Sequence, residues 1–511
     1  MKTRYCVVCF FFIAIVFSIV YCTDAGQSEE EKVARSYCSS CHLFPEPSML
    51  DKTTWTKGVL PKMAEYLGIA YLGNTYFVNS MDVNRKPSDT TQPAISYQNW
   101  SAIVSYYTTN APEKMDSQNR EKIEQVTTRF VTKEQVIKGS RPSTTYVQID
   151  PGNKRIYTSS EADSVFSVFD AGLNLISGKN IHKVLVDAHF TEDLKMPGER
   201  SGVATNIGIM YPNDLNTGTL EQFQIGDHSN FNISSTISSK IPRPVQAAAA
   251  DFDNDGKTDY LVCGFGHKTG AFYYLHQIDS NHYEKKMLNP IPGAIKAYIE
   301  DYNKDGLQDI VVLFAQAQEG IYLYLNKGSG NFETKELLRF PSVYGSSFFE
   351  MIDVNKDGLK DFVYTCGDNY DFSIVLKNYH GVYIFLNKGN DKYEQAYFFP
   401  IHGCYKALMR DFDNDGDLDI TAISYFPDVK NQPEESLVYL ENKGDLKFTP
   451  TAIKGFDRGN WVTMDAGDVD GDGDEDIVVG SLILGRSPRE LTTRIAPGEM
   501  PSFLLLVNQT K

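Results

Sequence analysis

The sequence predicts a multidomain protein in which a small all-α domain precedes an all-β domain built from seven similar sheets. Two observations predict the all-β part. An acidic nine-residue loop occurs five times in the second half of the chain, and a strand–turn–strand element recurs in phase with it. A third observation, three helix-competent stretches within residues 28–112, predicts the helical part. A chain of 511 residues is long enough for both.

The chain begins with a predicted targeting segment. Lys2 and Arg4 precede an apolar run at residues 6–21, which is short for a membrane span and typical of a signal peptide. We therefore expect residues 1–21 to be a signal peptide and the protein to be exported, to the periplasm or the cell surface. Cleavage before Cys22 would leave a lipid-anchored cysteine, and cleavage after Ala25 is the alternative.

Residues 28–112 are predicted to form the helical domain. Helices are expected at residues 29–37, 55–66 and 95–107, with Pro61 as a break or kink in the second. Residues 113–124 are expected to be a linker to the all-β domain.

Cys38 and Cys41 are three residues apart, and His42 follows at once. This spacing is typical of covalent c-type haem attachment, in which the thiols join the haem vinyl groups and the histidine ligates the iron. A redox-active cysteine pair would need a βαβ context, and half a zinc site would need a second ligand pair nearby. Neither is found in the sequence around the motif. Met63 and Met81 are the two candidates for the sixth iron ligand, although methionine is more often part of a core.

The acidic loops occupy residues 251–259, 301–309, 353–361, 411–419 and 468–476. Each has glycine at position 6, which permits a sharp turn, and oxygen-bearing side chains at positions 1, 3, 5 and 9. Those side chains are Asp251, Asp253, Asp255, Asp259, Asp301, Asn303, Asp305, Asp309, Asp353, Asn355, Asp357, Asp361, Asp411, Asp413, Asp415, Asp419, Asp468, Asp470, Asp472 and Asp476. Such a set suits a hard cation with six to eight oxygen ligands, so the loops predict calcium.

The loops are not EF-hands, because position 12 carries no bidentate glutamate and β-competent runs follow instead of helices. The aspartate at position 9 is therefore expected to close each site, directly or through water. A single copy would be compatible with a solvated acidic turn, but five copies in the same strand context favour calcium.

The spacing of the loops predicts a β-propeller. Successive loops start 50 to 58 residues apart, which is the repeat length of a propeller blade. Hairpins with an Asn-Lys-Gly turn recur in phase at residues 326–328, 387–389 and 442–444. The same period, continued towards the N-terminus, reaches β-competent stretches near residues 146–157 and 202–211 that lack the acidic loop. Two such units and five loop-bearing units predict seven blades within residues 125–511.

The ring is expected to close by pairing of its two ends. Residues 502–508 match the third strand of a blade, but no returning strand follows them. Residues 125–132 are β-competent and are predicted to supply the missing outer strand of the seventh blade, since an unpaired edge would otherwise be exposed.

The loops and hairpins resemble the FG-GAP or VCBS repeats of calcium-binding propellers, over about residues 120–511. The stretch from Cys38 to Gly68, with Phe44-Pro-Glu-Pro47 and Leu60-Pro-Lys-Met63, resembles cytochrome c modules fused to such propellers in exported bacterial proteins. The resemblance implies a small all-α cytochrome c-like haem domain and an all-β seven-bladed propeller. It also favours Met63 as the sixth iron ligand, with Met81 as the alternative.

The formal charge of −17 is mostly explained by the acidic loops, and the sequence has no basic patch that would indicate a nucleic-acid partner. Cys263, Cys366 and Cys404 are too few for a disulfide framework, and the last two could pair only if their blades adjoin.

Three functions remain open from the sequence. The first is an exported haem c electron-transfer protein whose calcium-stabilised propeller docks a redox partner or surface ligand. The second is a haem-linked oxidoreductase with a substrate site in the propeller, and the third is an adhesion or scaffold propeller with an accessory haem. The haem motif favours the first two, and the lack of a catalytic constellation favours the first. A membrane contact is expected only through a lipid anchor at Cys22.

Overall fold

The structure is a computed structural model that describes residues 27–72, 75–78, 94–118, 120, 122–136, 141–191, 199–226, 229–280, 282–368, 375–484 and 497–510. The predicted signal peptide, Cys22 and Met81 lie outside these residues. Among the helices in the described ranges, none is both long and apolar enough to cross a membrane.

Residues from Phe130 onward form a ring of seven four-stranded antiparallel sheets, which confirms the predicted seven-bladed propeller. In the first six blades the strands follow chain order. Blade 1 contains β4 (Thr144–Asp150), β5 (Arg155–Ser160), β6 (Val165–Asp170) and β7 (Leu175–Asn180). Blade 2 contains β8 (Leu185–Thr191), β9 (Arg200–Asn206), β10 (Gly218–Ile225) and β11 (Phe231–Ile241). Blade 3 contains β12 (Pro244–Ala250), β13 (Asp259–Gly264), β14 (Ala271–Asp279) and β15 (His282–Asn289).

Blade 4 contains β16 (Ala294–Glu300), β17 (Asp309–Phe314), β18 (Gly320–Asn326) and β19 (Phe332–Arg339). Blade 5 contains β20 (Ser346–Ile352), β21 (Asp361–Cys366), β22 (Gly381–Asn387) and β23 (Tyr393–Pro400). Blade 6 contains β24 (Cys404–Arg410), β25 (Asp419–Ser424), β26 (Leu437–Asn442) and β27 (Phe448–Ala452). Blade 7 contains β28 (Trp461–Gly467), β29 (Asp476–Ser481), β30 (Phe503–Asn508) and β3 (Phe130–Gln135).

The first strand of each blade lies innermost, because the first strands of neighbouring blades contact one another around the ring. The second strands of blades 3 to 7 are buried at every residue. A strand that is covered on both faces favours apolar side chains along its whole length, as in Ile310–Phe314. The fourth strands of blades 1 to 5 are mostly exposed or half-buried, and polar side chains among their exposed residues protect the sheet edge.

The two ends of the propeller pair as the sequence predicts, with a shift in boundaries. Strand β3 runs antiparallel to β30, with Phe130 opposite Asn508 and Gln135 opposite Phe503. The paired segment therefore begins at Phe130 rather than at residue 125. Val126 instead forms a bridge with Ala452 of blade 6, so the incoming chain joins two blades before it completes the seventh.

The N-terminal part, residues 27–112, contains α1 (Glu29–Cys38), α2 (Lys52–Thr54), α3 (Leu60–Tyr66) and α4 (Tyr97–Asn110), together with short 3-10 turns such as Pro47–Met49. We call this part the helical module. Its core includes Trp55, Leu60, Trp100 and Tyr107, all almost fully buried. The module is not all-α as predicted, because β1 (Ile69–Leu72) and β2 (Thr75–Val78) form an antiparallel hairpin.

The second predicted helix is interrupted next to Pro61. A single π-helical turn, Trp55–Val59, separates α2 from α3, and the Leu60 amide donates to the Trp55 carbonyl. Proline has no amide hydrogen, so it leaves one carbonyl of the preceding turn without its helical partner. A wider turn is a common way to accommodate that loss.

The segment after α4 is bound to the propeller rather than free. The Gln118 side chain donates to the Asn378 carbonyl at 2.9 Å, and the Arg120 guanidinium pairs with the fully buried Glu435. Ile123 is buried in a core shared by blades 5 and 6. The helical module also contacts the propeller directly, since the Tyr379 hydroxyl donates to the Met49 carbonyl at 3.2 Å and Lys268 lies 3.4 Å from Glu65.

Candidate functional sites

The five acidic loops connect the first and second strands of blades 3 to 7 and share one backbone turn. The position 1 carboxylate accepts the amide of position 6 in every loop; in the second loop, Asp301 accepts from Asp305 and Gly306, both at 2.9 Å. The glycine at position 6 has φ between +82° and +101° throughout. A side chain is strained in this region of φ, so the glycine is required by the turn itself.

The aspartate at position 9 is fully buried in all five loops and joins the loop to its own blade. In the second loop, Asp309 accepts the Tyr302 amide at 3.1 Å through one oxygen and the Asn326 amide, at the end of β18, at 2.7 Å through the other. The other four make the equivalent bond to the third strand: Asp259 to Gln277, Asp361 to Asn387, Asp419 to Asn442 and Asp476 to Asn508. Because each carboxylate oxygen has two lone pairs, this role leaves room for a metal ligand.

Carboxylates converge in three of the five loops. Ligand oxygens of Asp251, Asp253 and Asp255 lie within 4.8 Å of one another, as do those of Asp411, Asp413 and Asp415, and those of Asp468, Asp470 and Asp476. The second and third loops differ, because the amides of Asn303 and Asn355 donate to Asp305 and Asp357 at 2.8 and 3.0 Å.

The three convergent loops each contain a buried carboxylate oxygen that has no hydrogen-bond partner among the described residues: Asp253 Oδ1, Asp411 Oδ1 and Asp470 Oδ1. Burying such an oxygen without a partner is unfavourable. A hard cation would supply the missing partner, and an all-oxygen donor set is the one that calcium prefers. The residues at these loops therefore fit calcium.

Burial and neighbouring charge also disfavour ionised carboxylates in the loops. Burial, with smaller contributions from Asp413 and Asp415, raises the pKa of Asp419 to about 6. Burial likewise raises the pKa of Asp476 to about 6. Both carboxyls would be ionised more readily beside a cation.

His276 lies beside the carboxylates of the first loop, a neighbour that was not identified from the sequence. Its Nδ1 lies 3.4 Å from Asp253 and 3.3 Å from Asp259. An alignment of the blades on their third strands would have placed it one residue before Gln277, next to the acidic loop.

Blade 1 has no acidic loop. At the corresponding turn, between β4 and β5, an arginine guanidinium pairs with an aspartate. Asp150 accepts Arg200 Nη2 at 2.7 Å and Nε at 2.8 Å, and it also accepts the Tyr157 hydroxyl at 2.9 Å. Burial alone would raise the pKa of Asp150, but these partners hold it below its usual range. Arg200 comes from blade 2, so the pair also joins two blades.

The predicted haem-attachment motif, Cys38 to His42, lies at the end of α1. Cys38 is the last residue of the helix and is half-buried, whereas Cys41 is exposed, and both thiols are free. His42 Nδ1 lies 2.8 Å from the Leu43 carbonyl oxygen. Since a carbonyl can only accept, this contact assigns the proton to Nδ1 and leaves Nε2 available to a metal.

Aromatic side chains pack together in the core against which Cys38 also packs. Phe44 lies 6.2 Å from Tyr106 and 6.1 Å from Tyr107, and Trp55 lies 4.3 Å from Tyr107, measured between ring centroids. Burial raises the pKa of Cys38 to about 11, and burial lowers the pKa of His42. Trp55, Tyr106 and Tyr107 are buried in the core, so the half-buried Phe44 is the ring of this group that could contact a flat macrocycle, and a neutral imidazole fits an iron ligand. Met63 lies on α3 and packs against the core of the helical module.

Two other candidate groups lie between blades 5 and 6. His380 and His402 are buried at the ends of these blades, and Cys366 and Cys404 are buried free thiols on β21 and β24. Burial lowers the pKa of His402 to about 4, so its ring is neutral at physiological pH. All four side chains are buried in the propeller.

A ring of polar side chains from the innermost strands was not predicted. Asp187 accepts the Ala247 amide of the next blade at 3.2 Å, Gln246 accepts Ala297 at 3.0 Å and Glu350 accepts Met409 at 2.9 Å. The Lys406 ammonium donates to the Met464 carbonyl of the next blade at 2.7 Å. Asp465 accepts the Ile149 amide of the next blade at 2.8 Å. Each bond fastens one blade to the next around the axis.

Two segments of the chain, residues 301–364 and 411–479, match the family of FG-GAP-like repeats. Each segment spans two successive acidic loops and the strands between them. The chain therefore contains FG-GAP-like repeats, carried on a seven-bladed propeller. No curated protein matches the chain in sequence.

Solved structures that match the chain have low sequence identity to it. A chain from the S. cerevisiae assembly of Dbp5 with Nup159, Gle1, IP6 and ADP is 10% identical, with a TM-score of 0.40 over 77% of this chain and 99% of that one. An ancestral GH74 enzyme is 8% identical, with a TM-score of 0.47 over 75% of this chain and 52% of that one. S. cerevisiae Sqt1 is 8% identical, with a TM-score of 0.44 over 74% of this chain and 98% of that one. These values carry no information on activity or ligands.

Proposed function

We propose that this chain is an exported electron-transfer protein that carries haem c in its helical module and calcium in its propeller. The observation that carries the proposal is the arrangement at the end of α1. Cys38, Cys41 and His42 have the haem-attachment spacing, and the Leu43 carbonyl holds His42 with Nε2 free. When bound, the haem would supply a one-electron redox centre.

The residues around the motif would hold the haem in a partly apolar setting. Phe44, which itself packs on the buried Tyr106 and Tyr107, would pack against it, and Met63 would be the sixth ligand, with Met81 as the alternative. A thioether ligand would raise the iron potential relative to an open site.

The propeller fits a binding or scaffold role, as FG-GAP-like repeats on seven blades suggest. In the proposed function it docks a redox partner protein or a surface ligand. The contacts of Met49 with Tyr379 and of Glu65 with Lys268 support a fixed position of the helical module on the propeller. A haem held this way would keep one orientation towards a partner on the propeller.

Calcium in the acidic loops is proposed as a structural cofactor. The support is the set of convergent carboxylates in the first, fourth and fifth loops, each with a buried oxygen that lacks a partner. Export to a compartment with millimolar calcium would fill loops of modest affinity.

The haem assignment is tested by producing the full chain with haem-maturation machinery and measuring haem that survives denaturing electrophoresis and acid-acetone extraction. Cys38→Ala or Cys41→Ala should weaken the linkage, and His42→Ala should shift the absorption spectrum. Cys263→Ala, which removes a buried propeller thiol, is the control and should change neither. Absence of covalent haem from the unmodified chain would contradict the proposal.

The calcium assignment is tested by melting the protein before and after verified metal removal. Metal that binds only the folded state stabilises it by mass action, so removal should lower the melting temperature of the propeller and leave the haem spectrum nearly unchanged. An unchanged melting curve would rule out structural calcium.

A further inference from the structure

The fifth acidic loop, residues 468–476, has a buried aspartate that the other loops lack. Asp474, at position 7, is only 3% exposed, and neither of its carboxylate oxygens has a hydrogen-bond partner among the described residues. The other loops have Lys257, Leu307, Leu359 and Asp417 at this position. Asp417 is the closest comparison, but its side chain is 47% exposed and lies 3.9 Å from the Lys356 ammonium.

Asp474 lies between Asp472 and Asp476 in the loop, and its backbone amide donates to Asp472 Oδ1 at 3.3 Å. Asp470 and Asp476 belong to the group of three whose ligand oxygens lie within 4.8 Å of one another. Lys154 reaches the loop, but its ammonium donates to the Asp470 backbone carbonyl, at 2.7 Å.

We propose that the Asp474 carboxylate is an additional protein ligand of the cation in the fifth loop, and that this loop binds calcium more tightly than the other four. The inference rests on the proposed calcium sites and adds a ligand outside positions 1, 3, 5 and 9. A buried carboxylate without a partner is costly, and a cation beside it would remove that cost. Affinity in oxygen-ligand loops rises with the number of charged ligands. The fourth and fifth loops each have five carboxylates at odd positions, against four or three in the others, but the position 7 carboxylate of the fourth loop is exposed and lies near the Lys356 ammonium.

The test uses the full chain, stripped of metal and titrated with calcium by calorimetry and with terbium by luminescence. The unmodified protein should show one binding step that is tighter than the rest by roughly tenfold or more. Asp474→Asn should weaken that step by a similar factor. Asp417→Asn is the matched control at the same position of the fourth loop, and it should leave the tight step in place.

Melting temperatures provide a second readout that does not depend on resolving separate binding steps. Without metal, Asp474→Asn should melt at or above the unmodified protein, because a buried charge is removed. With excess calcium, the same variant should melt below it, because a ligand is lost. This reversal of order separates a metal ligand from a residue that only packs.

The outcomes distinguish this inference from the calcium assignment itself. Calcium binding by the unmodified chain, with the Asp474→Asn and Asp417→Asn isotherms indistinguishable, would overturn the inference alone. No calcium binding by the unmodified chain would overturn both.

Discussion

At the scale of single residues, the position 9 aspartates explain how an acidic loop becomes part of a sheet. Each one is fully buried and accepts a backbone amide at or near the end of its third strand, so a charged group lies inside the blade. The pKa values of Asp419 and Asp476, both raised to about 6 mainly by burial, express the cost of that position without a metal.

These shifts predict a pH dependence for the metal-free protein. The unfolded carboxyls keep a pKa of 3.8, so between that value and about 6 the folded state binds more protons than the unfolded chain. Stability without metal should therefore fall as pH rises through this window. Calcium should remove the effect, so the gap in melting temperature between calcium-loaded and stripped protein should be wider at pH 7.5 than at pH 5.

The difference in melting temperature between calcium-loaded and stripped protein is the quantity to measure, because other groups titrate in the same pH range. Burial lowers the pKa of His380 and His402, so their contribution to stability rises with pH, but it should be the same with and without calcium. Metal should be removed before the pH is set, since chelators weaken in acid. A gap that does not change with pH would contradict this account of the loops.

The asparagine of the Asn-Lys-Gly turn also joins the turn to the preceding blade. Asn326 donates to the Phe252 carbonyl of the preceding blade at 2.8 Å and to the Gln308 carbonyl at 3.1 Å, and it accepts the Gly328 amide at 2.9 Å. Asn326→Ala should lower the free energy of unfolding by about 2–3 kcal/mol, because buried carbonyls lose their donor. Urea unfolding measures this. The exposed Asn331, five residues after Asn326, is the control, and Asn331→Ala should cost about 0.5 kcal/mol or less.

At the scale of the element, strand β3 closes the ring by burying one side chain. Phe130 is 3% exposed, and its ring lies 5.9 Å from Phe412 and 5.6 Å from Tyr439 of blade 6. Phe130→Ala should destabilise the propeller by about 3–5 kcal/mol. Val131, the next residue on the same strand, is 49% exposed, and Val131→Ala should cost less than about 1 kcal/mol. Equal losses in the two variants, measured by denaturant unfolding, would show that closure does not depend on this contact.

The elements that repeat were predictable from the sequence, whereas those that occur once were not. Five copies of one loop fixed the period, and the period located the two blades without loops. The hairpin of β1 and β2 was missed, although Gly73 and Asn74 between two β-competent runs are a hairpin signal.

Contacts between blades could not be predicted, because they join residues about one repeat apart that share no local pattern. The pairing of Asp150 with Arg200 and the bond from Ala247 to Asp187 are of this kind. The burial of Asp474 could not be predicted either, because Asp417, at the same position of the fourth loop, is exposed.

At the scale of the whole molecule, the segment between the helical module and the propeller is fixed by a buried ion pair. Glu435 is fully buried, and Arg120 is its cationic partner. Burial raises the pKa of Glu435 to about 7, while Arg120 opposes the rise. This ion pair therefore acts together with the burial of Ile123 and the bridge from Val126 to Ala452 in holding the segment against blade 6.

Arg120→Ala should destabilise the protein by about 3–5 kcal/mol at pH 8, because a buried carboxylate is left unpaired. The loss should be smaller at pH 5.5, where Glu435 can take up a proton in the folded state. Lys52→Ala breaks an ion pair with the 81% exposed Glu113, and this control should cost about 0.5 kcal/mol or less at either pH. Urea unfolding at the two pH values tests both, and a loss in Arg120→Ala that is independent of pH would exclude Glu435 as its cause.

The pairing of β3 with β30 also sets the order of events during synthesis. The two strands are about 370 residues apart in the chain, so β3 leaves the ribosome long before its partner exists. At about 5–20 residues per second, the wait is roughly 20–70 s. During that interval six blades can assemble while β3 has an open edge, and an open edge invites pairing with another chain. A nascent chain of this design therefore has a period in which a chaperone, or transport across a membrane before folding, would protect it from aggregation.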